Sequence, residues 1–381
     1  MARQLTSWPA RALVVALAVG LGAAVATPGA VHSGPTFVIE PPYDVNYSLS
    51  DLGSVPGVPF SYGGLTFLAG DPNTLLIGGE ANDATGDIYS IGVTRDGDGH
   101  VTGFTGTATL FSDGAFIDGG LAYGPGGVLF YTRYDTNEIG QIEPGSNTTD
   151  RVVDLTPLGI TSSVGTLAFV PAGHPNPGQL KIASYDGDTW YSAAIAPDGT
   201  GTYDITSATL QETFSSGPGP EGIVYVPPGS PDFPAQSMLI SEYSSDAVGV
   251  YQYDANGDPI DSTRADFIAN LSGAEGAVID PITGDFLFST FGTDEDTVIV
   301  VEGFVPPPPE QSPTPTATEP SSTEEPPEAT PSATVGAVGL PETGTGAGSE
   351  STLWWPVAAI FGLSGVAITL GFARIRASRV R

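Results

Sequence analysis

Short apolar segments alternate with polar turns through the middle of the chain and recur as five similar units. The first apolar strand of the five units starts at Gly64, Gly120, Thr166, Gly222 and Gly276, so that successive starts are 56, 46, 56 and 54 residues apart. Second and third strands follow in every unit, and a fourth strand follows in the first four. Four strands repeated at a near-constant spacing predict an all-β fold, a single β-propeller with five blades.

The fifth unit lacks a fourth strand, and the N-terminal side of the repeats supplies a replacement. Val45 to Leu49 precedes the first unit and has the pattern of a strand. We expect it to pair with the third strand of the last unit, at residues 298–301, and so to close the ring. A β-sandwich and an open β-solenoid are the alternative arrangements of the same strands.

The N-terminus has the pattern of a secretory signal peptide over residues 1–26. Arg3 and Arg11 flank an apolar run from Ala12 to Ala26, which ends in small residues suited to cleavage. The run has 15 residues, whereas roughly 20 are needed to cross a bilayer. This difference favours a cleaved signal over an N-terminal membrane anchor, and it predicts export from the cell.

The C-terminus carries a second pattern, over residues 340–381. Leu340, Pro341, Glu342, Thr343 and Gly344 are followed by a short spacer, an apolar segment at 353–372 and arginines at 374, 376, 379 and 381. An apolar segment of that length suffices for a transmembrane helix, and the arginines keep its end in the cytoplasm. The order of these parts resembles the LPXTG family of cell-wall-anchored surface proteins.

That resemblance implies that a sortase cleaves after Thr343 and joins the new carboxyl group to cell-wall peptidoglycan. A single-pass membrane protein that keeps its helix is the alternative. The preceding residues 305–339 are rich in Pro, Thr, Ser and Glu and poor in large apolar side chains, which predicts a disordered, extended stalk. The folded ectodomain is therefore expected over residues 35–304, at the cell surface.

Composition limits the partners and the chemistry. The formal net charge of −32 disfavours nucleic acid and anionic lipid as partners and favours cations. The chain has no cysteine, which excludes disulfides and thiol catalysis. The sequence contains neither a nucleophile elbow nor a zinc-binding helix motif nor a phosphate-binding loop, and its three histidines are expected to be solvated loop residues. The catalytic residues, if any exist, are therefore unknown from the sequence.

Carboxylates are predicted to gather at one face of the propeller. The loops before the first strands lie on that face and contain Asp118, Glu221 and Glu275. Carboxylates that lie together need a cation or a proton between them, and Ca²⁺ prefers oxygen ligands in a flexible arrangement. These three residues are therefore candidate calcium ligands. The alternative is that each side chain accepts backbone N–H bonds in its own turn.

Four aromatic residues recur just after the second strand of a unit, on the same predicted face. They are Tyr134, Tyr185, Tyr243 and Phe291. They either seal the contacts between blades or stack against a ligand.

The steps Pro220-Glu221-Gly222 and Ala274-Glu275-Gly276 loosely resemble secreted propellers of the regucalcin and gluconolactonase type. Those propellers usually have six blades, and the rest of their ligand set cannot be matched to this chain residue by residue. The resemblance implies candidate site positions at Glu221 and Glu275 only.

Two classes of function stay open. The first is a non-enzymatic binding or adhesion module, displayed on the cell surface, for a glycan or a protein. The second is an extracellular calcium-dependent hydrolase of the lactonase or esterase type. The absence of nucleophile motifs and the predicted anchor favour the first, because a fold alone fixes no chemistry.

Overall fold

The computed structural model describes residues 37–307 except 234–235 and 293–295, and this part of the chain is built from β-strands. The predicted signal peptide, most of the stalk and the sorting signal lie outside the described residues. Within the described residues, no helix has both the length and the apolar character that a membrane span requires.

The strands follow one another with short connections. In chain order they are β1 (Val38–Ile39), β2 (Ser48–Asp51), β3 (Leu65–Leu68), β4 (Asp71–Gly79), β5 (Asp87–Arg95), β6 (Val101–Asp113), β7 (Ile117–Tyr123), β8 (Leu129–Arg133), β9 (Glu138–Ile142), β10 (Arg151–Asp154), β11 (Val164–Phe169), β12 (Leu180–Ser184), β13 (Thr189–Pro197), β14 (Tyr203–Thr213), β15 (Pro220–Tyr225), β16 (Ser237–Glu242), β17 (Ala247–Gln252), β18 (Ala265–Ala269), β19 (Ala274–Ile279), β20 (Phe286–Thr290) and β21 (Val298–Glu302). Five single turns of 3₁₀-helix lie between them, at Tyr43–Val45, Pro125–Gly127, Thr156–Leu158, Tyr243–Ser245 and Asp261–Thr263.

The strands form five antiparallel sheets, one for each predicted unit. The sheets begin at the inner strands β3, β7, β11, β15 and β19. These five inner strands contact one another in chain order, and β19 contacts β3 in turn. The predicted five-bladed propeller is therefore confirmed. We number the blades from the first to the fifth in the order of their inner strands.

The ring is closed by an N-terminal strand, as the sequence predicts. Strand β2 pairs antiparallel with β21 in the fifth blade, with Leu49 opposite Val301. The predicted strand began at Val45, and that boundary is wrong because Tyr43–Val45 forms a 3₁₀ turn. The turn brings Tyr43 and Tyr47 together against Phe267, with ring centroids 5.2 and 5.7 Å from the Phe267 ring.

A further N-terminal strand was not predicted. The two-residue strand β1 pairs with β18 and becomes a fifth strand of the fourth blade, with Val38 opposite Ala269. The N-terminal segment therefore pairs with two neighbouring blades, with the fourth through β1 and with the fifth through β2.

The backbones of neighbouring inner strands approach one another closely near the end at which these strands begin, which we call the upper end. A Cβ atom added at Gly276 would lie 2.7 Å from the Cα atom of Gly64, across the junction of the fifth and first blades. One added at Gly119 would lie 2.0 Å from the carbonyl oxygen of Glu221. Glycine is needed at these two positions because the backbones approach too closely for a Cβ.

Ion pairs tie neighbouring blades together at the opposite end. Arg95 pairs with Asp280 between the first and fifth blades, Arg151 with Asp198 between the second and third, and Lys181 with Asp258 between the third and fourth. The two other basic residues between positions 37 and 307 are Arg133 and Arg264, which pair with Glu138 and Glu242. Every lysine and arginine of the described region therefore has a carboxylate partner.

Candidate metal centre

Three inner strands begin with an irregular step that carries an acidic residue. The pairing of β7 with β8, of β15 with β16 and of β19 with β20 is interrupted by a bulge, and these bulges contain Asp118, Glu221 and Glu275. A bulge changes the direction in which a side chain points. The bulge in β7 spans Ile117 to Leu121 and is the longest of the three, which allows Asp118 to reach the same place although it lies one residue earlier in its unit.

The three carboxylates converge. One oxygen atom from each of Asp118, Glu221 and Glu275 lies within 4.8 Å of the others. The three residues are only 0, 3 and 1 % exposed. We call them the carboxylate trio.

Several oxygen atoms of the trio lack a hydrogen-bond donor. Both carboxylate oxygens of Asp118, Oε2 of Glu221 and Oε1 of Glu275 are buried and have no hydrogen bond of standard geometry with the described residues. The backbone N–H of Gly119 and the side chain of Asn82 nevertheless lie close enough to lower the pKa of Asp118, so the local backbone satisfies the trio only in part. Buried polar atoms without partners are uncommon in native proteins, and they are typical of sites that bind something else.

The electrostatics of the trio favour neutralisation. Burial raises the pKa of Asp118 to about 7. Burial also raises the pKa of Glu221, and the charge of Asp118 raises it further. For Glu275 the causes are burial and then the charges of Glu221 and Asp118. Because each basic residue of the described region is paired with another acid, a bound cation or protons must offset these charges.

The donor set fits a hard divalent cation. All three side chains offer carboxylate oxygen, and the cluster contains no histidine. Ca²⁺ takes six to eight oxygen ligands at about 2.3–2.6 Å, from carboxylates, carbonyls and water. Three carboxylates would fill part of that shell and leave positions for water or for oxygen atoms of a ligand.

Aromatic rings follow the second strands of four blades. Tyr134, Tyr185, Tyr243 and Phe291 are each partly exposed, and we call them the aromatic collar. Neighbouring ring centroids are 5.8, 5.9 and 5.9 Å apart, and the ring planes are steeply inclined to one another. Each contact joins adjacent blades, so the collar seals blade boundaries as one of the two sequence interpretations expected. Its partial exposure leaves aromatic surface on the face where the inner strands begin.

The collar is interrupted at the first blade. There the residue that directly follows the second strand β4 is Glu80 instead of an aromatic residue. The four rings therefore form an arc with one acidic gap.

A cavity that the sequence analysis missed lies at the other end of the inner strands. Its volume is about 330 Å³, and it is lined by residues 121–123, 167–169, 223–225 and 277–279 and by loop residues such as His174. None of the carboxylate trio lines it. The sequence signal for it, visible only in retrospect, is the small residues at Ala122, Ala168 and Ala277 in the inner strands.

The expectation that the histidines are solvated is wrong for His174 and, in part, for His100. His174 is 7 % exposed, and its Nδ1 lies 2.6 Å from the hydroxyl of Tyr253. His100 is partly buried, and its Nδ1 lies 2.6 Å from Oδ2 of Asp285. The turns that carry these histidines fold against a neighbouring blade, which their local sequence does not reveal. His32 lies outside the described residues.

No protein-family model and no curated protein matches this chain. Solved structures with a related architecture include the PQQ-bound form of an aldose sugar dehydrogenase from Streptomyces coelicolor, with 14 % identity, a TM-score of 0.35, and coverage of 66 % of this chain and 83 % of that chain. An auxiliary nutrient binding protein from Bacteroides ovatus has 13 % identity and a TM-score of 0.37, covering 68 % of this chain and 77 % of that chain.

A presumed gluconolactonase has 12 % identity and a TM-score of 0.36, covering 71 % of this chain and 99 % of that chain. The neighbours therefore include proteins named as a gluconolactonase and as a PQQ-bound sugar dehydrogenase. At such low identity and TM-score, the likeness assigns no activity, ligand or site to this chain.

Proposed function

We propose that this protein is a surface-displayed β-propeller that binds an extracellular ligand through a Ca²⁺ ion held by Asp118, Glu221 and Glu275. The observation that carries the proposal is the convergence of three buried carboxylates within 4.8 Å, with oxygen atoms that lack a hydrogen bond of standard geometry. Every basic side chain of the described region is engaged with another acid, so a cation from solution is the natural partner of the trio.

The proposed ion would connect the protein to its ligand. A calcium ion with three protein carboxylates keeps coordination positions for other oxygen atoms. Hydroxyl groups of a glycan, or carboxylate and carbonyl groups of a protein, fit those positions. The aromatic collar on the same face offers apolar surface beside them. This combination supports a binding or adhesion module.

A calcium-dependent hydrolase of the lactonase or esterase type is the second candidate. The observation that favours it is again the incomplete set of protein ligands, because an open coordination position on a metal ion also suits a carbonyl oxygen. The bound ion would supply Lewis-acid chemistry there, and a carboxylate of the trio would be the nearest proton acceptor.

Surface display is a proposal that rests on the sequence alone. The predicted signal peptide, stalk and sorting motif support an extracellular protein whose partners are a sortase and the peptidoglycan of the cell wall.

Calorimetry with Ca²⁺ or with a chelator tests the ion. An ion that binds only the native state stabilises it by about 2.7 kcal/mol at a concentration one hundred times its Kd. We expect a calcium-dependent rise in the Tm of the wild type and none in the double variant Glu221→Gln, Glu275→Gln. The exposed Asp135, replaced by Asn, is the matched control and should keep the rise. A wild type without the rise would rule out the ion.

The two candidate functions are separated by substrate assays on the calcium-loaded protein. Hydrolysis of an ester or lactone that requires Ca²⁺ and is lost in the double variant would favour the hydrolase. Calcium-dependent retention on a glycan or protein surface, without turnover, would favour the binding module.

A further inference from the structure

We infer that the cavity at the lower end of the inner strands is a second binding site, which takes an uncharged small molecule with one or two rings. No residue of the carboxylate trio lines the cavity, but Gly119, which directly follows Asp118, does, so the cavity extends from the lower end up to the trio. The probes below are tested in a chelator, so the inference does not depend on the proposed cation.

Small side chains form part of the cavity wall. Equivalent three-residue windows of four inner strands line the cavity, and Ala122, Ala168 and Ala277 are among these lining residues. Larger side chains at these positions would fill the space, as packing at native density requires elsewhere in a core. Tyr123 and Phe169 in the same wall remain partly exposed, so the cavity is reached by solvent.

The lining selects against charge. The formal charge of the whole chain is −32, yet no Asp, Glu, Lys or Arg lines this cavity. A charged ligand would lose its hydration without gaining an ionic partner, which is costly in an apolar environment. An uncharged ligand loses much less hydration free energy on entering the cavity.

His174 supplies a polar group at one side. It is buried at 7 % exposure, and its Nδ1 is engaged with the hydroxyl of Tyr253 at 2.6 Å. Burial lowers the pKa of His174, so the ring is neutral at physiological pH. Thr66 and Thr166 are the other side chains of the lining that bear a hydroxyl on a short stem. These groups suit a ligand with an apolar body and a single polar substituent.

The volume sets the size of the ligand. Ligand pockets in proteins span about 300–1,000 Å³, and an engineered apolar cavity of about 150 Å³ holds benzene. The cavity here, at about 330 Å³, is therefore large enough for a molecule of one or two rings.

Two fluorescent probes that differ in charge test the site. At neutral pH, 2-naphthol is an uncharged fluorescent two-ring probe, and 2-naphthalenesulfonate has the same two rings with a sulfonate group in place of the hydroxyl. In a solution of the full chain that contains a chelator, we expect saturable binding of the uncharged probe and at least tenfold weaker binding of the sulfonate. Equal affinity for the two probes would overturn the inference.

Variants of the lining locate the binding. We expect Ala277→Phe to weaken binding of the uncharged probe at least tenfold, while Ala265→Phe, on an exposed outer strand, leaves it unchanged. If Ala277→Phe does not fold, as judged by its Tm, Ala172→Trp changes an exposed loop residue of the lining and serves instead. All variants keep the apolar segments at 12–26 and 353–372. Any probe that binds these segments therefore contributes equally to every variant and does not affect the comparison. Unchanged affinity in a folded lining variant would show that the cavity is not the site.

Discussion

His100 of the first blade and Asp285 of the fifth blade lie in contact across the closure of the ring, with Nδ1 of the histidine 2.6 Å from Oδ2 of the aspartate. Arg95 and Asp280 pair beside them. Two sets of contacts therefore stabilise the closure of the ring. One is the pairing of β2 with β21, and the other is the contact between side chains of hairpins that are 185 residues apart.

This contact predicts a pH-dependent contribution to stability. The hydrogen bond to Asp285 raises the pKa of His100 above 6.5, and the charges of Asp285, Glu302 and Asp96 act in the same direction. A raised pKa in the folded state means that the stabilisation is fully present below about pH 6.5 and is lost as the pH rises through the folded-state pKa. Between pH 6 and pH 9 we expect the wild type to lose up to about 1 kcal/mol more stability than His100→Gln.

Urea denaturation at the two pH values measures the difference. Asp285→Asn should remove the same pH dependence, and the double variant should lose nothing further because the two side chains act as one pair. An identical pH profile for wild type and His100→Gln would contradict the assignment.

The N-terminal turn predicts a large loss of stability on changing Tyr47. Tyr47 is 5 % exposed, contacts the rings of Phe233, Phe267 and Phe304, and donates a hydrogen bond to the carbonyl of Pro231 at 2.6 Å. We expect Tyr47→Ala to lower the free energy of unfolding by about 3–5 kcal/mol. It should also promote aggregation, because loosening β2 exposes the edge of β21.

Val45 is the matched control for Tyr47. It lies two residues away and is 80 % exposed, so Val45→Ala should change stability by no more than about 0.5 kcal/mol. Denaturation curves and light scattering of both variants make the comparison. Equal losses of stability and equal aggregation in the two variants would mean that the N-terminal segment does not stabilise the closed ring.

Much of the propeller is predictable because its signals are local. Apolar strands bounded by Gly, Asn and Asp turns recur at a nearly constant spacing, and the leftover strand at each end points to closure. The position of Asp118, Glu221 and Glu275 at the starts of inner strands follows from the same alignment. The actual distances depend on the bulges in β7, β15 and β19, which the alignment does not contain.

What the sequence could not predict depends on contacts between blades. The start of β2 is set by the packing of Tyr43 and Tyr47 against aromatic rings more than 180 residues away. The burial of His174 depends on Tyr253, which belongs to the next blade. The lower cavity is lined by residues of four different inner strands, which are brought together only when the blades assemble into the ring.

The sorting motif predicts how the protein is released from cells. If cleavage follows Thr343, the transmembrane segment is lost, and wall-digesting enzymes should release the protein while detergent alone should not. Thr343→Ala should move the protein to the detergent-soluble membrane fraction, whereas Thr345→Ala should leave it in the wall. Complete extraction of the native protein by detergent alone would contradict the sorting mechanism.

The close approach of the inner strands predicts a strong effect at Gly119. The Cβ of Gly119→Ala would lie 2.0 Å from the carbonyl oxygen of Glu221, and a backbone atom cannot move aside as the end of a side chain can. We expect a loss of about 3 kcal/mol or more in the free energy of unfolding. Gly97 has no atom within 4 Å of its added Cβ, and Gly97→Ala should be nearly neutral in the same urea titration.

The trio also makes a prediction for the protein without calcium. Its carboxyl groups have raised pKa values, so protonation in the folded state stabilises the fold at low pH. That stabilisation is fully present below the unfolded pKa near 4 and is lost as the pH rises through the folded-state values. With the cation removed, raising the pH is therefore expected to destabilise the propeller.

Replacing two of these carboxylates by amides should therefore stabilise the protein in a chelator. At pH 8 we expect Glu221→Gln, Glu275→Gln to unfold with a free energy about 2–4 kcal/mol above that of the wild type, because a neutral amide avoids the cost of either burying a charged carboxylate or protonating it on folding. In saturating Ca²⁺ the wild type should instead be more stable than the double variant, since only the wild type binds the ion. Asp135→Asn, which changes an exposed carboxylate, should follow the wild type in both solutions. Urea titrations at pH 8, with chelator or with Ca²⁺, measure the free energy of unfolding of each protein. A double variant that is less stable than the wild type in chelator would show that hydrogen bonds, and not a cation, stabilise the trio.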